Sequence, residues 1–180
     1  MNNTFRLVFL LALFPNIPTL AAPVSTNLQQ PVSLMALAGY VPLRGEGVVV
    51  TLSDQNRPTI KNSAAALPGL VHDYDVLSLV NELRSAGAQG ITVGGVRLTN
   101  QSSINCIGPR LLVDKTPVPI PLRIEAVGNS ALLKAHLGIK GGVLDSFKTA
   151  GPHAVVSINS KLQLSAAPLP TFLKAPQTSN

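Results

Sequence analysis

Acidic residues are scarce here, at 8 in 180, and cysteine scarcer still, with Cys106 alone; tryptophan is absent and aromatic side chains make up 4%. A single cysteine excludes an intramolecular disulfide, so packing and hydrogen bonds must hold the fold. A charged fraction of 12% excludes a coiled coil, whose outer heptad positions need ion-pairing side chains. The net charge is +6 and the isoelectric point 9.9. Yet the 14 Lys and Arg are scattered singly, with no interleaved aromatics on which bases could stack, so no nucleic-acid partner is expected.

What is present is apolar and turn-rich. A hydrophobic content of 46% over 180 residues supports one core, and 14 Gly with 15 Pro favour short elements joined by tight turns. A single folded domain is expected.

The N-terminus carries an addressing signal. Arg6 precedes an apolar run from Leu7 to Phe14, followed by Pro15, Pro18 and the small residues Thr19, Ala21 and Ala22. That is the pattern of a secretory signal peptide, and the run falls short of the roughly 20 apolar residues a membrane-spanning helix needs. Residues 1–22 are thus read as a signal peptide or anchor, 23–44 as a tether, 45–165 as the domain and 166–180 as a disordered Pro-rich tail. The protein is expected to be exported and extracytoplasmic, and tethered to the membrane if the signal stays uncleaved.

Within the domain, Val48-Val-Val-Thr-Leu52 reads as a strand covered on both faces. Residues 55–70, with Pro58 and Pro68, read as a long loop. Val76, Leu79, Val80, Leu83 and Ala86 recur at helical spacing, which predicts a helix over 73–86, capped by Asp73 and ended by Gly87. Gly90 to Leu98 reads as a hairpin turning at Gly94-Gly95, which need positive φ. Short strands over 103–107 and 110–113 follow, then a strand over 122–127, helices over 130–137 and 143–149, and closing strands over 154–158 and 162–164. The fold class read from this order is α+β, a ferredoxin-like α/β plait of the split βαβ kind with inserted β-hairpins.

Residues 47–52, the helix ending Asn81-Glu-Leu-Arg-Ser-Ala-Gly-Ala88, the hairpin Ile91 to Leu98, Ser103-Ile-Asn-Cys-Ile-Gly108 and Ile124-Glu-Ala-Val-Gly128 occur in this order. Together they resemble the YlxW/YlxX family of bacterial proteins, over roughly residues 34–165. The resemblance implies an α/β plait outside the cytoplasmic membrane and a link to cell division or sporulation. It carries over no catalytic residue. Members of the family carry a transmembrane helix and a coiled coil before the domain, where this chain has a signal-like segment and a short tether.

Chemistry-bearing residues are few. His72, Asp73 and Asp75 offer metal donors, but their place at a helix start makes capping the simpler reading. Cys106, in an alternating segment, is read as a buried structural thiol. Ser102 and Ser103 lack the G-x-S-x-G setting of a nucleophile. Gly141-Gly142, near Lys140 and Lys148, lacks the longer glycine pattern of a phosphate site. Asp75, Asn81, Glu82 and Arg97 remain as candidates for a polar interaction patch. No catalytic or metal residue and no cofactor is expected. After Ser130, Lys134, Lys140, Lys148, Lys161 and Lys174 stand against one acid, Asp145, so weak contact with an anionic membrane or envelope polymers is expected. The favoured function is a non-enzymatic module of the cell envelope that binds a protein partner. The alternative is a small-ligand or low-activity enzyme domain with the 55–70 loop closing over Asn81, Glu82 and Arg97.

Overall fold

The computed structural model describes residues 35–36, 38–55 and 69–170. The expected signal segment, most of the tether, residues 56–68 of the expected loop and residues 171–180 of the expected tail lie outside the described residues. The described part is a single mixed α+β domain with two antiparallel sheets and three helices. In chain order the elements are β1 (Leu43–Ser53), α1 (Asp73–Ser85), β2 (Gly90–Val93), β3 (Val96–Arg97), β4 (Ile104–Ile107), β5 (Arg110–Val113), β6 (Thr116–Val118), β7 (Leu122–Val127), α2 (Ser130–Leu137), α3 (Val143–Ala150) and β8 (His153–Leu164).

The large sheet has the order β3-β2-β7-β1-β8, and the small one β4-β5-β6. β1 is central, paired antiparallel to β7 and to β8. Alternation along a strand sends Val48, Val50 and Leu52 to one face, joined there by Ile91, Val93, Leu122, Ile124 and Ala126. The helices cover that face with Val76, Leu79, Val80, Leu83, Leu133, Leu137, Val143 and Phe147, all within one core cluster. The other face buries a smaller group of Val49, Val127, Leu162 and Leu164, with Leu43 against it.

A bulge in β1 between Gly45 and Gly47 shifts its register against β8. Gly47 is needed there, because a Cβ would collide with the Ala126 carbonyl oxygen. In the bulge, the Glu46 carbonyl accepts the Gly128 N–H at 3.0 Å and its carboxylate accepts the Ser130 hydroxyl at 2.7 Å. The start of α2 is thereby pinned to the central strand.

Turn chemistry sets the rest. Gly94 (φ 58°) and Gly95 (φ 83°) make the β2–β3 turn. Helix α1 ends with Gly87 at φ 90°, its N–H on the Arg84 carbonyl, and with the Ala88 N–H on Leu83, a Schellman closure. Asp114 and Lys115, both at positive φ, turn β5 into β6, and the Asp114 carboxylate accepts the Ser102 hydroxyl at 2.7 Å and the Ser103 N–H at 2.8 Å. Ser102 and Ser103 therefore brace a turn.

Cys106 departs from expectation, since it is exposed. It pairs with buried Leu111, but β4 is one of the two outer strands of the small sheet. Alternation sets the side to which a residue points, and burial needs an element to cover that side. Ile107, at the end of the same strand, is 65% exposed.

Candidate functional site

The four residues of the expected polar patch have separate surroundings. Asp75 is buried at the start of α1, where its carboxylate accepts the His72 N–H at 3.0 Å. Burial raises its pKa above the ordinary carboxylate value, and the hydrogen bond and nearby charge of His72 oppose that only in part. Residue His72 precedes the helix as its N-cap, a place the sequence reading gave to Asp73. The Asp73 carboxylate instead accepts the N–H groups of Tyr74 and of Cys106, the latter at 3.0 Å, which joins α1 to the small sheet. The His72 and Tyr74 rings stack with centroids 5.0 Å apart.

Glu82 lies inside the helical layer. Its Oε1 accepts the Val143 N–H at 2.8 Å, so the carboxylate of one helix caps the positive end of another. The Gly141 N–H is likewise taken by Asp145. The N–H groups of Gly141 and Val143 at this helix start are thus met by two of the chain's own carboxylates, and that of Gly142 by the Ile139 carbonyl. Asn81, the neighbour of Glu82, is exposed on the outward side of α1.

Arg97 points the other way. On β3 it pairs with Thr92 and shares the face turned away from the helices. It is 3% exposed. Its Nη2 donates to the Ala36 carbonyl at 2.6 Å, and Nη1 to Val41 and Ser165 at 3.4 Å each. Gly90 leaves room for this, since a Cβ there would sit 2.7 Å from Nη2. The guanidinium thus holds the two chain ends of the domain, where the Ala167 N–H also bonds the Gly39 carbonyl at 2.8 Å. Burial lowers its pKa. Asp75, Glu82 and Arg97 share no hydrogen-bond partner, and the structure does not bring them together.

A wider pattern covers the acids. All eight carboxylates of the chain accept hydrogen bonds within the domain. Asp54 takes the Val71 N–H, and Glu125 takes the Thr92 hydroxyl and the Arg123 guanidinium. Glu46, Asp73, Asp75, Glu82, Asp114 and Asp145 are engaged as described above. The cations divide differently: Arg44, Arg110, Lys115, Lys134, Lys140 and Lys161 are exposed with no ion-pair partner among the described residues. Local spacing reaches the contacts of Asp75 with His72, of Asp73 with Tyr74, of Glu125 with Arg123 and of Asp145 with Gly141 and Lys148; those of Glu46, Asp54, Glu82 and Asp114, of Asp73 with Cys106 and of Glu125 with Thr92 need the fold.

An open depression of about 390 Å³ lies where the end of α1 meets β2 and the segment after β3, lined by Arg84, Gln89, Gly90, Thr99 and Asn100 among others. Arg84 donates to the Thr99 carbonyl at its edge, at 3.5 Å. Asn81, Glu82 and Arg97 are not in its lining. Among the described residues, no group of three or more His, Cys, Asp or Glu is placed to hold a metal ion, and no helix is long and apolar enough to cross a membrane.

Residues 32–174 match the family described as bacterial proteins of unknown function, DUF881. The chain belongs to that family. The DUF881 chain is 34% identical over 131 residues to the UPF0749 protein YlxW of Bacillus subtilis, covering 73% of this chain and 55% of that protein. It is 28% identical over 138 residues to the UPF0749 protein Rv1825 of Mycobacterium tuberculosis, covering 74% and 43%. The chain thus spans about half the length of these curated relatives. Its fold is similar to a crystal structure of an uncharacterized conserved protein from Mycobacterium tuberculosis, with a TM-score of 0.65 and 27% identity, covering 83% of this chain and 96% of that one.

Proposed function

We propose that this chain is a non-enzymatic, extracytoplasmic interaction module of the bacterial cell envelope, and that a protein partner adds a strand to the outer edge of β8. The observation that carries the reading is β8 itself. It runs twelve residues, pairs with β1 on one side and ends the sheet on the other. An edge of that length offers a row of backbone donors and acceptors to an extended segment, while side chains at alternate positions supply specificity. Val155 and Ile158, on opposite faces of the strand, are each about half exposed, at 51% and 50%. The commitment of every carboxylate to structure supports a role in contact over one in proton transfer.

The strand order β2-β7-β1-β8, with α1 between β1 and β2 and α2–α3 between β7 and β8, supports reading the core as a ferredoxin-like plait into which β3 to β6 are inserted. Export rests on the N-terminal apolar segment, and a place in cell division rests on the family resemblance. The ligand-binding alternative at Asn81, Glu82 and Arg97 draws no support from geometry, because the three do not face one cavity.

Recovery of partners from envelope extracts tests the proposal. Wild-type protein should retain a specific envelope protein that Val155→Lys/Ile158→Lys loses at unchanged thermal stability. Equal recovery by both proteins, or no specific partner together with normal division after gene deletion, would contradict it.

A further inference from the structure

A second surface lies on the opposite side of the domain from the small apolar group under Leu43. Helix α2 turns Ser130, Leu133 and Leu137 into the core. Its outward side, continued past the helix end, carries Ala131, Leu132, Ala135 and Ile139, all exposed, with Leu132 at 62% and Ile139 at 52%. A spacing of three puts Leu132 and Ala135 on one helix face, and exposed Ile139 follows just past the Gly138 cap in the turn that leads to Lys140. Lys134 and Lys140 flank it, both exposed and without an ion-pair partner among the described residues. The acids bonded to Ser130 and to Gly141, at the two ends of this segment, are occupied. Glu46 accepts the Ser130 hydroxyl, and Asp145 holds Lys148 and the Gly141 N–H.

An apolar stripe rimmed by unpaired lysines, with its local carboxylates already engaged, is complementary to a bilayer that carries anionic headgroups over hydrocarbon. We infer that the outer face of α2 and the loop through Lys140 dock on an anionic phospholipid membrane, with Leu132 and Ile139 entering the interface and Lys134 and Lys140 lying at the phosphate level. This contact leaves the β8 edge free. It does not rest on strand addition at β8, and each can fail alone.

The test uses the full chain with Cys106→Ser and a polarity-sensitive fluorophore on Leu132→Cys, on Ile139→Cys or, as control, on Val155→Cys. Such local probes separate docking of this face from insertion of the apolar N-terminal run. With vesicles containing phosphatidylglycerol, the probes at 132 and 139 should shift to the blue and become shielded from an aqueous quencher, and salt should reverse both effects. The probe at 155 should not respond. Lys134→Gln/Lys140→Gln should weaken the response about tenfold or more. Shifts at 132 and 139 that are as large on pure phosphatidylcholine, that match the shift at 155, or that are missing would each overturn the inference. So would equal binding to a soluble polyanion without any blue shift, which would assign the face to an acidic polymer.

Discussion

The carboxylate of Glu82, in the last turn of α1, receives the backbone N–H of Val143 at 2.8 Å across 61 residues of sequence. One side chain thereby fixes the angle between two helices. Substitution by Ala leaves that N–H without its acceptor at a helix start, and the loss should be about 1–2 kcal/mol. Glu82→Gln keeps an acceptor but loses the charge facing the helix dipole, so it should cost less. Urea unfolding at unchanged m-value measures both.

Arg97 secures the chain ends. Replacing it with Ala leaves the carbonyls of Ala36, Val41 and Ser165 without their donor, and a loss of about 2–3 kcal/mol is expected. Hydrogen exchange should localise the effect. The Ala167 and Tyr40 amides should lose protection first, while those of β1 and β7 stay protected. Uniform loss of protection would show that Arg97 supports the whole sheet and not the ends.

Two glycines separate crowding from backbone strain. At Gly47 a methyl group meets the Ala126 carbonyl, so Gly47→Ala should cost about 3 kcal/mol or more, or prevent folding. At Gly87, where φ is 90° and nothing lies within 4 Å, Gly87→Ala meets only the left-handed conformation and should cost about 1–2 kcal/mol. Thermal unfolding of the pair ranks them.

Asp75 gives a pH signature with a definite sign. Burial raises its folded-state pKa above the ordinary 3.8, so the folded protein holds this proton more tightly than the unfolded chain does. Stability from this group is therefore greatest below 3.8 and falls as pH rises through the raised value. Asp75→Asn keeps an acceptor for the His72 N–H and lacks the titration. The stability of Asp75→Asn relative to wild type should thus increase across that window in urea titrations, and a constant difference would contradict the sign.

Much of the fold was legible in local pattern. Helix α1 follows from the recurrence of Val76, Leu79, Val80 and Leu83, helix α2 from Asn129, whose side chain caps it by accepting the Leu132 N–H, and from Gly138 at its end, and the β2–β3 turn from Gly94-Gly95. The misses have physical causes. The polar Asn159-Ser-Lys161 reads as a break between two strands, yet β8 runs through it, since an edge strand tolerates polar residues and the Asn159 side chain accepts the Lys161 N–H. β6 is hidden in the sequence by Pro117, which an outer strand permits. The reading of Cys106 failed because alternation cannot show where cover ends. The ties made by Glu82, Arg97 and Glu125 span 33 to 68 residues, beyond any local spacing rule.

The contact role of the β8 edge is tested most directly by site-specific photocrosslinking in growing cells, with a photoreactive residue at Val155 on β8 or at Asn81 on the outward side of α1. The account predicts a discrete protein adduct from position 155 that Ile158→Lys abolishes, and none of that species from position 81. The same adduct from position 81, or no adduct from 155 while the protein is present in the envelope, would contradict it.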